Sequence, residues 1–584
     1  MRIALVTPFA WSQPHDVNEH VAALAGELRH RGHDVTVLAP SNRARDLAAG
    51  RRALISDVSP REFVAIGPAV RISRRSRMGV PVGVRANLAL ALARGQFDVV
   101  HGFEPGLPSL SYLALRDSNA LTAATFFSPD RLGYPPGKAQ RERLLARIDA
   151  LLATTPDVAT AAEARFPGRY ELVPQGIDPK LFAPAAKKKL VVLEWREGER
   201  PLLRALVHEL EQQKGWELVV LRTRTPASTP SASRRLRGRM RVRTARSGAA
   251  RAEILRSAAI FVPALGGSAR LLAEAQTAGA AIAAPVGRAA QPELAAAETG
   301  RLISDETFRA RRTDESLASA EAQTTSALAD HVEGVYGSLA SRRRTRASAA
   351  AGTETAQREN DWILVDLHLH TSWSHDCSIE VDELLAHAES EGLGAIAVTD
   401  HNVFGGALEA VEKARARKLI VIPGEEIKTA DQGEVIGLFL KEEIPRGMSF
   451  GETTEAIRAQ KGIVYLPHPF DRMHAIPEPA TIHRHLADID VFEIYNARLL
   501  FENYNDEAER FARKYNLLAG AGSDAHVLAG VGTGVVRMRR FSGPEEFLVS
   551  LHTAEVLRRP KSLVYLQGLK WMAQAKSMSK ERVR

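Results

Sequence analysis

A pair of histidines, His368 and His370, follows a short apolar run in the second half of the chain. The run, residues 362–365, reads Trp-Ile-Leu-Val and predicts a buried strand. Because successive side chains of a strand point to opposite faces, residues two apart point the same way. Both imidazoles are therefore expected side by side at the carboxyl end of the strand, as in a metal site.

Further imidazoles and carboxylates stand at or near the ends of other predicted strands: Asp376, His401, Glu426, Glu434, His468, Asp524 and His526. Imidazole and carboxylate ligands without thiolate suit zinc, manganese or iron(II). Together with the first pair they are more ligands than one ion needs, so we expect two or three divalent metal ions. Clustered ions activate water and clamp the oxygens of a phosphate, which predicts hydrolysis of a phosphoester.

Other polar residues near these strand ends have supporting roles in this interpretation. Asp366 and Asp400 are expected to orient ligand imidazoles, whereas His375 and Cys377 are interpreted as bystanders. Three arginines in loops could hold a substrate phosphate: Arg446, Arg472 and Arg498.

The elements that position these residues form a repeating strand and helix pattern, which predicts α/β architecture with parallel strands. In the second half we predict strands at 363–367, 395–399, 419–422, 435–440, 462–466, 491–494 and 517–521. About seven short parallel strands with a polar residue at each carboxyl end predict a barrel, because barrel enzymes build their sites on that face.

The first half has the doubly wound pattern. We predict a strand at 3–7, a helix at 18–31 with apolar residues at three- and four-residue spacing, and a strand at 34–39. Later strands are predicted at 99–101, 121–126, 151–153 and 171–173, and a second α/β unit runs from 190 to about 339. The predicted domains are 1–185, 186–340, a linker at 341–360, a domain at 361–560 and a basic tail at 561–584.

Composition narrows the class of protein. With 584 residues, 45% apolar and 25% charged, the chain has the balance of a globular protein with several domains. A single cysteine excludes an intramolecular disulfide framework. No apolar run approaches the roughly 20 residues that cross a bilayer, and the N-terminus lacks a signal-peptide pattern, so a cytoplasmic protein is expected.

The net charge of +9 is concentrated in arginines, especially in 222–256 and 342–346. A basic surface attracts nucleic acid, anionic lipid or phosphorylated metabolites. One alternative interpretation is therefore a protein that binds nucleic acid or a membrane surface. In that interpretation the basic tail could make weak contact with the membrane. The oligomeric state is not predicted.

Residues 361–557 resemble the polymerase-and-histidinol-phosphatase (PHP) superfamily. The resemblance rests on Asp-Leu-His-Leu-His-Thr at 366–371, Thr-Asp-His at 399–401, Gly-x-Glu at 424–426, His-Pro at 468–469 and Gly-Ser-Asp-Ala-His at 522–526. It implies a distorted (β/α)7 barrel, and its Gly-x-Glu spacing favours Glu426 over Glu425 as a ligand.

The same resemblance implies how the ligands are shared. One ion would be held by His368, His370, Glu426 and Asp524. Glu426 would bridge to a second ion held with His468, and a third would be held by Asp376, His401 and His526. Many members have histidine where this chain has Glu434, and a carboxylate favours a harder ion such as manganese.

Residues 1–340 resemble a GT-B glycosyltransferase of family 4 with two Rossmann-like domains, similar to phosphatidylinositol mannosyltransferases. The motifs are 17–21, 31–37, 97–105 and 174–178. A Gly-Gly pair of the family is replaced by His15-Asp16, and its histidine by Phe127. Of the Arg/Lys pair that neutralises the donor diphosphate in the family, only Arg196 or Arg200 remains. Of the family's Glu-x7-Glu motif, only Glu274 remains. We therefore expect a degenerate sugar-nucleotide site.

These observations predict a metal-dependent phosphoesterase fused to a glycosyltransferase-like module that is impaired in catalysis. The expected substrate is a nucleotide, a nucleoside bisphosphate, an oligonucleotide end or a sugar phosphate. The enzymatic alternative is an active nucleotide-sugar-dependent glycosyltransferase with an accessory PHP hydrolase.

Overall fold

The chain separates into two compact units in the computed structural model, residues 1–340 and residues 341–584. The structure describes residues 1–55, 62–71, 77–78, 84–196, 199–223, 230, 234–236, 238–264, 266–283, 292–343, 362–473 and 476–559. Most of the predicted linker and all of the predicted tail lie outside the described residues.

The first half of the N-terminal unit is an α/β domain. Its strands are β1 (Arg2–Val6), β2 (Asp34–Ser41), β3 (Phe63–Pro68), β4 (Val70–Arg71), β5 (Arg77–Met78), β6 (Val99–Phe103), β7 (Leu121–Phe126), β8 (Ala150–Ala153) and β9 (Tyr170–Leu172). Its helices are α1 (Asp16–His30), α2 (Ala44–Ile55), α3 (Arg85–Gly95), α4 (Leu110–Asp117), α5 (Lys138–Leu145) and α6 (Pro156–Glu163). Seven strands form a parallel sheet in the order β3-β2-β1-β6-β7-β8-β9.

The second half of this unit repeats the arrangement on a smaller scale. Its strands are β10 (Lys188–Glu194), β11 (Glu217–Arg222), β12 (Met240–Thr244), β13 (Ala258–Val262) and β14 (Ala281–Ile282). Its helices are α7 (Arg200–Gln212), α8 (Gly248–Leu255), α9 (Ala269–Thr277), α10 (Pro292–Ser304), α11 (Glu306–Glu321) and α12 (Thr325–Ser341). The parallel order β12-β11-β10-β13-β14 reverses beside β10, as the first sheet does beside β1. Two Rossmann-like domains are thereby confirmed.

The C-terminal unit is built on one long sheet. Its strands are β15 (Trp362–Leu369), β16 (Ala395–Val398), β17 (Ile420–Lys428), β18 (Glu434–Leu438), β19 (Ile463–Leu466), β20 (Val491–Asn496), β21 (Leu518–Gly522), β22 (Gly534–Arg539) and β23 (Glu555–Arg558). Its helices are α13 (Val381–Ser390), α14 (Gly405–Ala414), α15 (Phe450–Ala459), α16 (Pro479–Arg484), α17 (Glu502–Tyr515) and α18 (Pro544–Leu551).

The seven strands β15 to β21 form a distorted barrel. They are neighbours in chain order, and the segment after β21 returns to β15, where the Asp524 N–H donates to the His368 carbonyl at 2.9 Å. Strands β22 and β23 continue the sheet from β15 in antiparallel pairing. The predicted barrel is confirmed, and the strand pair β22 and β23 was not predicted.

The prediction that all seven strands are parallel is wrong for β18, which is antiparallel to both β17 and β19. The physical reason is the connection: only residues 429–433 join β17 to β18, whereas a parallel crossover needs about a dozen residues or more. As a result, the first residue of β18 lies at the same edge as the carboxyl ends of its neighbours.

Side chains along β15 alternate between the hydrophobic core and the face that carries the predicted metal ligands. Val365 and Leu367 belong to the hydrophobic core of this unit, so the alternate residues Asp366, His368 and His370 face the other side. Of the helices that the structure describes, none combines the length and apolar character needed to cross a membrane.

Candidate metal centre

His368, in β15, and His370, directly after it, lie next to each other, with ring centroids 5.2 Å apart. Both side chains are fully buried. The Nε2 of His370 lies 3.4 Å from Glu426 Oε2 and 3.5 Å from Asp524 Oδ1, yet it makes no hydrogen bond. A buried nitrogen facing two carboxylates in this way fits a cation between them.

Glu426 is the centre of the cluster. It lies inside β17, not after the third strand as predicted, because β17 continues to Lys428. Its Oε2 is 3.4 Å from His368 Nε2 and 3.0 Å from His401 Nδ1, and its Oε1 is 3.2 Å from His468 Nε2. One buried carboxylate therefore faces imidazoles from several strands.

Asp524 and His526 approach from the loop after β21. The Nδ1 of His526 is 3.4 Å from Asp524 Oδ1, and its Nε2 is 2.9 Å from Asp376 Oδ2. Asp376 Oδ1 also lies 3.7 Å from His401 Nε2. These contacts join the loops after β15, β16 and β21.

Glu434 reaches the cluster because β18 is antiparallel. Its Oε2 lies 3.7 Å from His468 Nε2. Four sets of three ligand atoms lie close enough to share an ion: His370, His401 and His526; His368, His370 and Asp524; His368, Glu426 and His468; and His401, Glu426 and Glu434. The structure thus brings all nine predicted ligands together, with Asp376 joined to the sets through His401 and His526.

Burial and neighbouring charges shift the pKa values of the imidazoles and carboxylates of the cluster. Burial by itself would lower the pKa of His368, but the carboxylates of Glu426, Asp524 and Glu493 raise it well above the usual value. Burial and the neighbouring His526 lower the pKa of His370 to about 3, which leaves a neutral imidazole available as a ligand. Burial would raise the pKa of Glu426, yet His368 and the other imidazoles hold it well below its usual range.

Glu493 is a functional residue that the sequence interpretation missed. Its Oε1 lies 3.1 Å from His368 Nδ1 and accepts from the Tyr465 hydroxyl at 2.9 Å. Its Oε2 accepts from the His468 N–H at 2.6 Å and from Asn496 Nδ2 at 3.1 Å. A ligand imidazole whose other nitrogen meets a carboxylate has a fixed orientation. The available signal was a glutamate in the otherwise largely apolar run of β20.

Asn496 extends this support to a third ligand, because its Nδ2 also donates to Asp524 Oδ2 at 3.3 Å. Two of the supported ligands have left-handed backbone, His468 at φ 26° and Asp524 at φ 50°. Non-glycine residues in this region are strained and are found where surrounding contacts enforce them. Glu493 and Asn496 supply such contacts.

The two aspartates predicted to orient imidazoles differ. Asp400 accepts from Ser374 Oγ at 2.6 Å, and that hydroxyl lies 3.2 Å from His370 Nδ1. Asp366 does not contact an imidazole in this way: it accepts from the backbone N–H groups of Ser523 and Gly532 at 2.9 and 3.0 Å. Asp366 precedes His368 by two residues on β15. There it contacts the loop that carries Asp524 and positions that loop.

The three candidate phosphate arginines are placed differently. Arg498 lies in the cluster, with Nη1 3.0 Å from Asp524 Oδ1 and 3.1 Å from His526 Nδ1. Arg446 is exposed and donates to the Asn402 carbonyl at 2.8 Å, one residue from a ligand. Arg472 is exposed in the loop after β19.

The remaining neighbours are outside the ligand sets. Glu425 points away from Glu426 along β17 and accepts from the Ile444 N–H at 3.0 Å, and burial raises its pKa to about 7. His375 is exposed. The Cys377 thiol is buried and donates to the His370 carbonyl.

The N-terminal unit uses its charges differently. Glu274 is buried on α9 and accepts from Arg251 Nε at 2.5 Å and Nη2 at 2.6 Å. Glu19, from α1 of the other Rossmann-like domain, contacts Arg251 Nη2 at 2.5 Å and Arg270 Nε at 3.4 Å. Glu274, which we assigned to the Glu-x7-Glu motif, is thus part of an ion-pair network between the two Rossmann-like domains.

A second carboxylate occupies the start of α9. Glu194 is buried at the end of β10 and accepts from the Ser268 N–H at 2.9 Å and the Ala264 N–H at 3.3 Å. Arg196, a predicted donor-site cation, donates to the same carboxylate at 3.2 Å. At the start of α1, His15 accepts from the Val17 N–H and stacks on Phe9, with ring centroids 3.6 Å apart.

Known families match both units. Residues 17–181 match Glycosyltransferase Family 4, residues 366–512 match the PHP domain, and residues 502–556 match the PHP-associated family.

Two relatives and one solved structure illustrate the similarity. The chain is 32% identical over 229 residues to a phosphatidyl-myo-inositol mannosyltransferase of Propionibacterium freudenreichii subsp. shermanii, which is 38% of this chain and only 56% of that protein. It is 33% identical over 214 residues to an uncharacterized protein of Methanocaldococcus jannaschii, 34% of this chain and 84% of that protein. The spinosyn forosaminyltransferase SpnP aligns with 57% of this chain and 99% of its own, with 14% identity and a TM-score of 0.35.

Residues 17–181 of the N-terminal unit are thus similar to Glycosyltransferase Family 4, and residues 366–556 of the C-terminal unit are similar to the PHP domain and PHP-associated families.

Proposed function

We propose that the C-terminal unit is a metal-dependent phosphoesterase with a site for two or three divalent ions. Its substrate is a nucleotide, a nucleoside bisphosphate, an oligonucleotide end or a sugar phosphate. The observation that carries the proposal is Glu426, a buried carboxylate that faces His368, His370, His401 and His468 within 3.4 Å.

The ligand residues differ in exposure, and this difference gives the direction of substrate entry. His368, His370 and Glu426 are almost completely buried, whereas the side chains of Asp376 and Arg498 are 25% and 31% exposed. A substrate therefore reaches the cluster from the side of Asp376 and Arg498. There the guanidinium can hold phosphate oxygens.

Bound divalent ions would supply Lewis acidity, which activates water and stabilises charge on the phosphate. The chain's own residues prepare the site for this. Glu493 and Ser374 fix the orientation of His368 and His370. Arg498 remains charged because the carboxylates of Asp524 and Asp376 raise its pKa against the effect of burial. Its positive charge compensates charge that develops on the phosphate.

For the N-terminal unit, we propose a glycosyltransferase-like scaffold in which sugar transfer is impaired. A helix N-terminus binds phosphate through free backbone N–H groups. At α9 two of the neighbouring N–H groups already donate to Glu194, and the positive charge of Arg196 is paired with the same carboxylate. A donor diphosphate would meet a negative charge there. This disfavours the alternative of an active nucleotide-sugar-dependent transferase.

The test is a panel of phosphate esters assayed with manganese, zinc or iron(II). Wild type should release phosphate from at least one substrate, and His370→Ala should lose about 10³-fold or more, because several kcal/mol of charge stabilisation depend on the ions. His375→Ala, an exposed histidine five residues further on, is the matched control and should retain activity. Equal activity of wild type and His370→Ala would contradict the proposal.

A further inference from the structure

The loop after β15 presents an exposed indole beside the metal centre. Trp373 follows His370 by three residues and is 48% exposed. Large aromatic side chains are usually buried, since their exposed apolar surface is unfavourable in water. An exposed tryptophan three residues after a metal ligand therefore calls for an explanation.

The position of this indole is fixed by three contacts. Its Nε1–H donates to Glu409 Oε2 at 2.8 Å, and the Trp373 backbone N–H donates to Thr371 Oγ1 at 3.2 Å. The ring lies against Gly405 at the start of α14, where an added Cβ would come within 2.4 to 2.8 Å of three ring carbons. Glycine at this position lets the ring pack directly on the backbone.

The same contacts tie the indole to the ligands. Thr371 Oγ1, which accepts from Trp373, donates to Asp400 Oδ2 at 2.6 Å. Asp400 in turn accepts from Ser374 Oγ, which lies next to His370 and also accepts from the His401 N–H at 3.1 Å. The ring is therefore held in a defined position relative to two metal ligands.

Polar groups around the indole are already paired. Glu409, besides accepting from the indole, lies 2.7 Å from Lys413 Nζ. The Ser372 hydroxyl donates to Glu380 at 3.3 Å. A ligand that contacts this part of the loop meets the exposed indole beside polar side chains that already bind each other. This favours a planar, apolar group over the hydroxyls of a sugar.

We propose that Trp373 is a stacking platform for the base of a nucleotide substrate, so that the phosphoesterase prefers phosphate esters that carry a nucleobase. This inference rests on the proposed phosphoesterase function. Stacking of a base on an aromatic side chain changes affinity by about tenfold to a hundredfold. Among the substrate classes considered, it selects the nucleotide over the simple sugar phosphate.

The experiment compares adenosine 5′-monophosphate with ribose 5-phosphate, which has the same sugar and phosphate without the base. The metal-loaded full-length protein is assayed as wild type, Trp373→Leu, Trp373→Phe and Trp362→Leu. Trp362 is the matched control: it is 37% exposed and stands at the opposite end of β15.

We expect wild type to favour adenosine 5′-monophosphate by at least about tenfold in kcat/KM. Trp373→Leu should remove this preference by lowering kcat/KM for adenosine 5′-monophosphate about tenfold more than for ribose 5-phosphate, Trp373→Phe should retain most of it, and Trp362→Leu should match wild type. An equal loss for both substrates in Trp373→Leu, or no preference in wild type, would overturn the inference.

Failure of the proposed function gives a different result. If neither the wild type nor any variant releases phosphate with any ion, the phosphoesterase proposal fails. Equilibrium dialysis of adenosine 5′-monophosphate against metal-loaded wild type and Trp373→Leu then tests separately whether Trp373 binds the base. Weaker binding by Trp373→Leu supports it, and equal binding or none overturns it.

Discussion

Glu426 and Glu194 are both buried glutamates near the carboxyl end of a strand, but they have opposite surroundings. Glu426 faces four imidazoles that lie on or directly after three strands of the barrel. Glu194 accepts hydrogen bonds from two backbone N–H groups and from Arg196. The first carboxylate stands among groups that can share a cation, and the second already accepts hydrogen bonds from groups of its own domain.

The same contrast extends to other charges of the two units. In the C-terminal unit imidazoles and carboxylates converge with nitrogens that have no hydrogen bond, such as His370 Nε2. In the N-terminal unit Glu19 and Glu274 are held by Arg251 and Arg270. Parallel α/β folds bring polar residues together at strand ends in both cases. Whether such a cluster of charged residues can bind a ligand depends on whether its charges are already paired with each other.

The largest expected effect comes from removing metal. Chelation should abolish phosphate release and lower hydrogen-exchange protection around residues 366–526, because bound ions at about a thousand times their Kd stabilise the folded state by about 4 kcal/mol. Peptides from residues 1–340 should exchange as before. Protection that falls equally in both units would contradict the contrast between them.

The next prediction concerns a buried carboxylate of the N-terminal unit. Burial raises the pKa of Glu104 to about 7 in the folded state, against a usual value of 4.5. Between these pH values the folded state binds a proton that the unfolded state has lost, so the free energy of unfolding should fall as pH rises, by on the order of 3 kcal/mol in total.

Glu104→Gln should lose this pH dependence, which denaturant titrations between pH 4.5 and 7 would measure as the difference from wild type. Parallel curves for the two proteins would show that Glu104 is not protonated in this range. The result matters for the comparison because imidazoles shift the pKa of Glu426 in the opposite direction.

A smaller effect is expected from Glu493→Gln. Glutamine has only one acceptor oxygen, so it cannot accept from both the His468 N–H and His368 Nδ1, and metal affinity should fall by about 10- to 100-fold. Calorimetric titration with manganese or zinc measures this directly. Glu425→Gln, a buried neighbour outside the ligand sets, is the control, and an equal effect in both variants would contradict a specific role for Glu493.

The smallest effect is expected in the N-terminal unit. Glu194→Ala should free the N–H groups at α9 and remove a negative charge, so affinity for a nucleoside diphosphate should rise about tenfold. Equilibrium dialysis with uridine or guanosine diphosphate measures it, with Glu217→Ala in the same sheet as the control. Tight binding by wild type would mean that the donor site is intact.

Much of the site could be predicted from the sequence because its ligands follow strands. His368 and His370 are two residues apart on a strand, and a strand puts such residues on one face whatever surrounds it. The barrel was predictable for the same reason: repeated apolar runs ending in polar residues have few other solutions. The resemblance to glycosyltransferase family 4, and not a local pattern, implied that His15-Asp16 and Phe127 replace donor-site residues of that family.

Other parts could not be predicted because they depend on long-range contacts. Glu493 is 125 residues from His368, and only the curvature of the barrel brings its carboxylate to the Nδ1 atom. The prediction that Asp366 orients an imidazole was wrong because its partners are backbone N–H groups of a loop more than 150 residues away. Local pattern contains no information about such pairings.

The sequence by itself determined which residue types gather at the strand ends and on which face of each strand they stand, because alternation is a local property of the backbone. Only the tertiary structure decided which of those residues meet. The antiparallel direction of β18 brings Glu434 to His468, and β20 places Glu493 behind the ligands. The fold of the second Rossmann-like domain also brings Glu194, at the end of β10, to the Ser268 N–H at the start of α9. These outcomes follow from strand direction and domain packing, which depend on contacts distant in sequence.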